Sequence, residues 1–370
     1  MREAKLIIAD SEHDSNMYYA TGCLVPDDFI YLEINSKKIV YIDDMEFGRV
    51  RNEALVDKVI NYSKYSPGID RDTFGRILIR ILSDNGIEKV YVPGNFKMKY
   101  AKVLLDNGIR TEVVEPFFKE RISKSKEEVE KISEVQRINE SAFKKAITVI
   151  KKSKIRKDRK LIYNGNVLTS EFIRIILQKE FVANNCFCDY SIIVSCADDT
   201  VDPHEAGKGA LIAGESIIMD VVPKSSSNRY YSDMTRTIVK GKASPEIKRI
   251  YNAVAEAQMI ALSEIKSGIR ADHIHKRIQK FFDSAGFKTG MKKGKMQGFF
   301  HSTGHGVGLD VHELPRINLN YQKELETGNV VTVEPGLYYP GIGGVRIEDM
   351  VVVTEHGCKN LTHFPKYLEI

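Results

Sequence analysis

The chain has 370 residues, more than one hydrophobic core usually organises, so two domains are expected. Apolar residues at 42% and charged residues at 28% exclude a disordered or fibrous chain, and 55 Lys/Arg against 50 Asp/Glu leaves +5, too mild over this length to argue for nucleic acid. No run approaches 18 consecutive apolar residues, which excludes a membrane-spanning helix.

The opening Met1-Arg2-Glu3-Ala4-Lys5 runs only briefly apolar before Asp10, Glu12, His13 and Asp14, which is not a secretory signal. A cytoplasmic location is expected, with the five cysteines reduced; only Cys186 and Cys188 lie close together. Residues 1–120 read as an α/β unit. Phe29–Ile34 and Ile39–Ile42 flank Asn35-Ser36-Lys37-Lys38 as a hairpin. Arg71–Leu82 has helical spacing and stops near Asn85-Gly86. A strand at Lys89–Val92, a helix over Phe96–Leu105 and a strand at Thr111–Val114 follow, and Lys119–Glu128 is the expected linker. From Ser125 an amphipathic helix places Val129, Ile132, Val135, Ile138 and Ala142 on one face. The basic run Lys151–Lys160 lacks interleaved aromatics, so it reads as a solvated loop or helix end rather than a nucleic-acid patch. Thr169–Asn184 and Ser244–Lys266 read as further helices, the second opened by Ser244-Pro245-Glu246 and stopped at Gly268.

Five later segments carry chemistry. Ile217–Val222 is an apolar strand with one acid, Asp220, and Tyr230–Val239 alternates like a half-buried strand with Asp233, Thr235 and Thr237 on one face. Turn material at Pro223–Asn228 would let Asp220 and Asp233 face each other across a hairpin. Phe300–Glu313 holds His301, His305 and His312, Val330–Glu334 ends an apolar strand on a carboxylate, and Gly343–Asp349 puts Arg346 and Glu348 on one face. Singly, each has a plain structural explanation: a strand-end Asp caps a turn, a His between glycines sits in a loop, Glu348 pairs with Arg346. Gly304–Gly308 also lacks the βαβ setting of a dinucleotide site. Jointly, four acids in apolar strands with a Gly-flanked His would repel strongly, and a pair of divalent metals is the economical remedy.

In order, Ile218–Val222, Ser232–Thr237, His301–Glu313, Val333–Tyr339 and Gly343–Asp349 resemble the pita-bread metallopeptidases: aminopeptidase P, prolidase and methionine aminopeptidase. The resemblance implies an α+β chain with a creatinase-type N-terminal domain at 1–122 and a pita-bread catalytic domain at 123–370. It implies Asp220, Asp233, His305, Glu334 and Glu348 as ligands of two divalent ions, Asp233 and Glu348 bridging, with His204 and His312 as catalytic histidines that are not ligands. His301 matches the proline-pocket histidine, Tyr338 a residue lining the site and Arg346 a partner that would orient Asp233 or another ligand. The hard, oxygen-rich donor set suits Mn²⁺, with Co²⁺ or Zn²⁺ able to serve. The implied reaction is attack of a metal-bridging hydroxide on an Xaa–Pro bond, in dipeptides or at a peptide N-terminus, with Glu334 moving the proton. A homodimer is implied, and neither nucleic acid nor membrane as partner. The N-terminal domain and His301 disfavour methionine aminopeptidase, and the full set of four acids and one histidine disfavours a silent binding module. Three departures stand out: a 13-residue step from Asp220 to Asp233 that lengthens the rim loop Lys224–Arg229, an insert at Lys151–Leu168, and Ser195–Asp199 in place of a Gly-Asn-rich run.

Overall fold

The computed structural model describes residues 2–65, 73–292 and 294–370. Its backbone contacts divide into two units, Met1–Lys119 and Glu120–Ile370. In the first unit β1 (Arg2–Ala9), β2 (Phe29–Ile34), β3 (Lys37–Ile42), β4 (Lys58–Asn61), β5 (Ile87–Val92) and β6 (Arg110–Val113) make one sheet in the order β4-β3-β2-β1-β5-β6. Period-two alternation buries both of its faces. Leu6 and Ile8 pack with α3 (Thr73–Asp84) and α4 (Met98–Asp106), while Ile7 and Ala9 pack with α1 (Ser15–Thr21) and α2 (Asp44–Glu53).

The expected hairpin is present but tighter. Asn35 and Ser36, with φ of 51° and 65°, form the whole two-residue turn, and Lys37 and Lys38 already belong to β3. The helix expected from Arg71 is described from Thr73 onward, its first two residues lying outside the described ones. The sequence reading had no counterpart for β1, α1, α2 or β4. In α2 the reason is plain, since only Val50 is buried and no apolar period exists to be read.

In the second unit α5 (Lys126–Lys152) starts on a capping box, Ser125 accepting from the Glu128 amide while the Glu128 carboxylate accepts from the Ser125 amide. The basic run then turns back through β7 (Lys154–Ile155), β8 (Leu161–Tyr163) and β9 (Asn166–Val167), a small antiparallel sheet that accounts for the insert. Next come α6 (Ser170–Ala183), β10 (Cys186–Phe187), β11 (Ile193–Cys196), β12 (Ser216–Val221), β13 (Lys224–Ser225) and β14 (Met234–Val239). Strands order as β11-β12-β14, with β10 pairing β13. The expected rim loop is therefore partly strand. Beyond α7 (Pro245–Glu264) and α8 (Ala271–Ser284) come β15 (Gly290–Lys292), β16 (Lys295–Gln297), β17 (Gly304–Gly306), β18 (Glu313–Ile317), β19 (Val330–Val333), β20 (Gly336–Tyr339), β21 (Gly343–Arg346), β22 (Asp349–Val353) and β23 (Cys358–Asn360). They form a sheet ordered β18-β17-β19-β22-β23 and the hairpins β15–β16 and β20–β21.

Each half has its own helix backing. Ile217, Met219, Val221, Met234 and Ile238 pack with α5 and α6 in one core, and Val331, Val333, Val345 and Ile347 pack with α7 and α8 in another. Each buried Val, Ile or Met side chain contributes about 1.5–3 kcal/mol of transfer free energy. Because strand side chains alternate, those apolar residues fix where their neighbours go. Asp220, Thr235, Glu334 and Arg346 must all face away from the helices. All six residues of β14 are buried, a departure from the half-buried strand expected. Thr235 and Thr237 turn to the inner face, while Arg236 turns outward, fully buried against Asp349 and the carbonyls of Phe364 and Pro365.

Candidate metal centre

The ligand-capable atoms of Asp233, His305 and Glu348 lie within 4.8 Å of one another, and all three residues are buried. His305 Nε2 is 3.7 Å from Asp233 Oδ2 and 3.4 Å from Glu334 Oε1. The other ring nitrogen, Nδ1, is 3.2 Å from the Gly306 carbonyl, which can only accept. The ring proton therefore sits on Nδ1, and Nε2 turns a lone pair toward two carboxylates. Burial, and the neighbouring His312, push the His305 pKa down to about 3, so the ring cannot answer that repulsion by charging.

The acids show the same strain. Burial holds Asp233 and Glu334 well above the usual carboxylate range, reinforced in both by Glu348 and Asp220. Burial, then Asp220, lifts Glu348 to about 7. Thr235 Oγ1 donates to Glu348 Oε2 at 2.7 Å, and Thr332 Oγ1 meets both the His305 amide, at 3.1 Å, and Glu334 Oε1, at 3.4 Å. Buried Asp233, His305 and Glu348, with Glu334 beside His305 and Asp220 held by Arg346, form a donor set that fits divalent metal ions.

Arg346, also buried, ties the halves together. Its guanidinium donates to Asp220 Oδ2, to the Tyr338 hydroxyl at 2.7 Å and to the Pro203 carbonyl at 3.3 Å, next to His204. Of the contacts expected for Arg346, to Asp233 or another of the acids, the one made is to Asp220. Nor do Asp220 and Asp233 face each other directly: Asp220 pairs with Thr235, and Asp233 lies just before β14, on the same face but displaced along it. Tyr338 is 3.0 Å from His301 Nε2, and His301 Nδ1 bonds the Ser302 carbonyl at 2.8 Å. Arginine, phenol and imidazole thus form one chain, with Phe300 at 5.4 Å from the Tyr338 ring. Burial beside Arg346 takes the His301 pKa down to about 3 and keeps the imidazole neutral. His204 and His312 are exposed, and the His312 ring stands edge-on to His305 at 4.4 Å.

Glycines admit this crowding. A Cβ on Gly304 would lie 1.9 Å from the Thr332 carbonyl oxygen, and one on Gly336 would lie 2.5 Å from the Tyr338 hydroxyl. The sequence reading missed Gln258, fully buried on α7, whose amide donates to the carbonyls of Val333 at 2.9 Å and Ile347 at 3.2 Å. Those are the residues just before Glu334 and Glu348. A single glutamine in a helix carries no sequence signal for such a role, whereas Thr235 was legible from its shared face with Asp233.

The model of metallopeptidase family M24 matches residues 130–355. An uncharacterized peptidase of Bacillus subtilis strain 168, YqhT, is 34% identical over 272 residues, covering 73% of this chain and 70% of that protein. An Xaa-Pro dipeptidase of Pyrococcus furiosus is 29% identical over 351 residues, 94% of this chain and 90% of that one. The crystal structure of an X-Pro aminopeptidase from Thermotoga maritima superposes with a TM-score of 0.82 at 25% identity, over 100% of this chain and 98% of that chain. The fold is α+β with a pita-bread unit, as the motifs implied.

Proposed function

The chain belongs to metallopeptidase family M24, and on that premise we propose that it cleaves the Xaa–Pro bond, in dipeptides or at the N-terminus of peptides, with two divalent metal ions. The observation that carries the reading is the imidazole lone pair of His305 aimed at the carboxylates of buried Asp233 and half-buried Glu334. Two of the similar proteins bear Xaa-Pro names, which supports the choice of bond. The N-terminal domain, residues 1–122, and the homodimer are part of the same reading.

Asp220, Asp233, His305, Glu334 and Glu348 would hold the metals. The hard oxygen donors suit Mn²⁺, with Co²⁺ or Zn²⁺ able to serve. Bound metals would polarise the scissile carbonyl and lower the pKa of the attacking water toward about 7. Glu334, half-buried at the end of β19, takes the proton of that water and returns it to the leaving nitrogen. The exposed imidazoles of His204 and His312 donate to the carbonyl oxygen as it gains charge. Arg346 keeps Asp220 in place and, through Tyr338, sets the orientation of His301. An Xaa–Pro bond has no N–H for backbone recognition and a ring of fixed φ, so a wall of Phe300, His301 and Tyr338 suits it.

The test is a panel of Xaa-Pro and Xaa-Pro-Yaa peptides given to chelator-stripped protein with Mn²⁺, Co²⁺ or Zn²⁺ restored one at a time. Release of proline or of the first residue only when metal is restored is the expected result. Hydrolysis of none of them with any metal would end the proposal.

A further inference from the structure

His312 sits in a turn that leaves β17 at Gly306 and enters β18 at Glu313. Its exposed ring has one aromatic neighbour among the described residues, His305 at 4.4 Å. A donor on an exposed turn keeps its aim only if the backbone beneath it is fixed. The Glu313 carboxylate does this from inside the turn. Its Oε2 accepts from the Asp310 amide at 3.4 Å, and its Oε1 lies so close to Gly308 that a Cβ there would be 2.3 Å away. From outside, Arg121 Nη2 donates to Glu313 Oε2 at 2.8 Å and to Asp310 Oδ2 at 2.7 Å, and the buried Lys124 pairs with Glu313 Oε1. Both cations belong to a segment that is itself secured, since the Lys124 amide donates to Gly328 and the Asn329 side chain donates to the Ile122 carbonyl. Two anions on the turn thus meet two cations on that segment, with Glu313, Arg121 and Lys124 largely out of water and Asp310 at the exposed edge.

We propose that Glu313, clamped by Arg121 and Lys124, is a positioning residue that holds His312 in its donating orientation. This rests on the reading of His312 as a donor to the substrate carbonyl. An ion pair that merely stabilised the fold would lower stability when broken and leave the chemistry of folded, metal-loaded enzyme alone. Glu313→Gln keeps the shape of the side chain and removes its charge, so one cation is left without its full partner.

The experiment is a double-mutant cycle on kcat with alanylproline and Mn²⁺-loaded protein, comparing Glu313→Gln in the parent and in His312→Ala, with metal content and thermal midpoint recorded for each. His312→Ala is expected to lower kcat at least about tenfold. Glu313→Gln is expected to lower kcat about fivefold in the parent, with KM within about twofold and full metal content, and less than about 1.5-fold when His312 is already gone. Equal losses in the two backgrounds, or no loss in the parent, overturn the proposal. A His312→Ala enzyme with unchanged kcat removes the donor reading itself, a separate result. If Glu313→Gln does not fold, Arg121→Gln is taken through the same cycle, with the same outcomes deciding.

Discussion

Asp233 is enclosed among other ionisable groups. It is buried, it faces a neutral imidazole, and Glu348 and Asp220 raise its pKa further after burial has done so. If Asp233 is a metal ligand as proposed, Asp233→Asn should leave the fold intact and weaken metal binding, because a neutral amide offers the cations no charge. Metal analysis of the purified variant should give fewer than two ions per chain; two ions with full activity would remove Asp233 from the centre. Tyr338 tests the other side. Tyr338→Phe cuts the bond to His301 Nε2 and the one from Arg346. A lost hydrogen bond of about 1 kcal/mol should appear as a rise of about fivefold in KM for Xaa-Pro substrates. An unchanged KM would take the phenol out of substrate recognition.

Elements place these residues by alternation rather than by individual contacts. Strands β12, β14 and β19 each commit one face to a helix layer, and the acids occupy what is left. Gln258 adds a correction that alternation cannot supply, since it holds the ends of β19 and β21 at a set separation from one point on α7. Gln258→Met preserves volume and leaves the Val333 and Ile347 carbonyls without that donor. Titration calorimetry should show metal affinity reduced by about tenfold or more, beyond any change in thermal midpoint. Equal affinity in a folded variant would make Gln258 a packing residue only. Gly304 sets a limit of another kind. A methyl at 1.9 Å from the Thr332 oxygen forces β17 from β19, so Gly304→Ala should destabilise by about 2 kcal/mol or more, read as a lower urea midpoint.

Across the molecule, stability should respond to acid through groups outside the proposed ligand set. Burial pushes the His275 pKa from 6.5 down to about 4, beside Thr303. At this site the folded state then binds fewer protons than the unfolded chain between those values, so the His275 contribution is complete above about pH 6.5 and is lost as pH drops toward 4, by at most about 3 kcal/mol. Glu369, bonded to Lys248 and the Ala243 amide and paired with Lys242, has its pKa lowered to about 2, and its contribution is lost below its ordinary pKa of 4.5. Urea midpoints of metal-free protein from pH 7 to 4.5 should fall less steeply in His275→Gln than in the parent. Parallel curves would assign the acid sensitivity elsewhere.

The sequence by itself determined the chemistry. Acids isolated in apolar strands beside a histidine between glycines point to a divalent-metal site before any coordinates, because period-two alternation and the cost of buried charge are local properties, and the order of the five segments adds the resemblance to metallopeptidases. It also determined the caps at Ser125, Thr169 and Ser244, where a side chain bonds an amide three residues on. Only the tertiary structure decided which partner each of those groups takes. Arg346 reaches Asp220 rather than Asp233, Gln258 spans two strands, and Glu313 meets Arg121 across 192 positions of chain. Such pairings depend on how strands from separate segments stack, and residue type and spacing along one strand carry no record of what lies on the next.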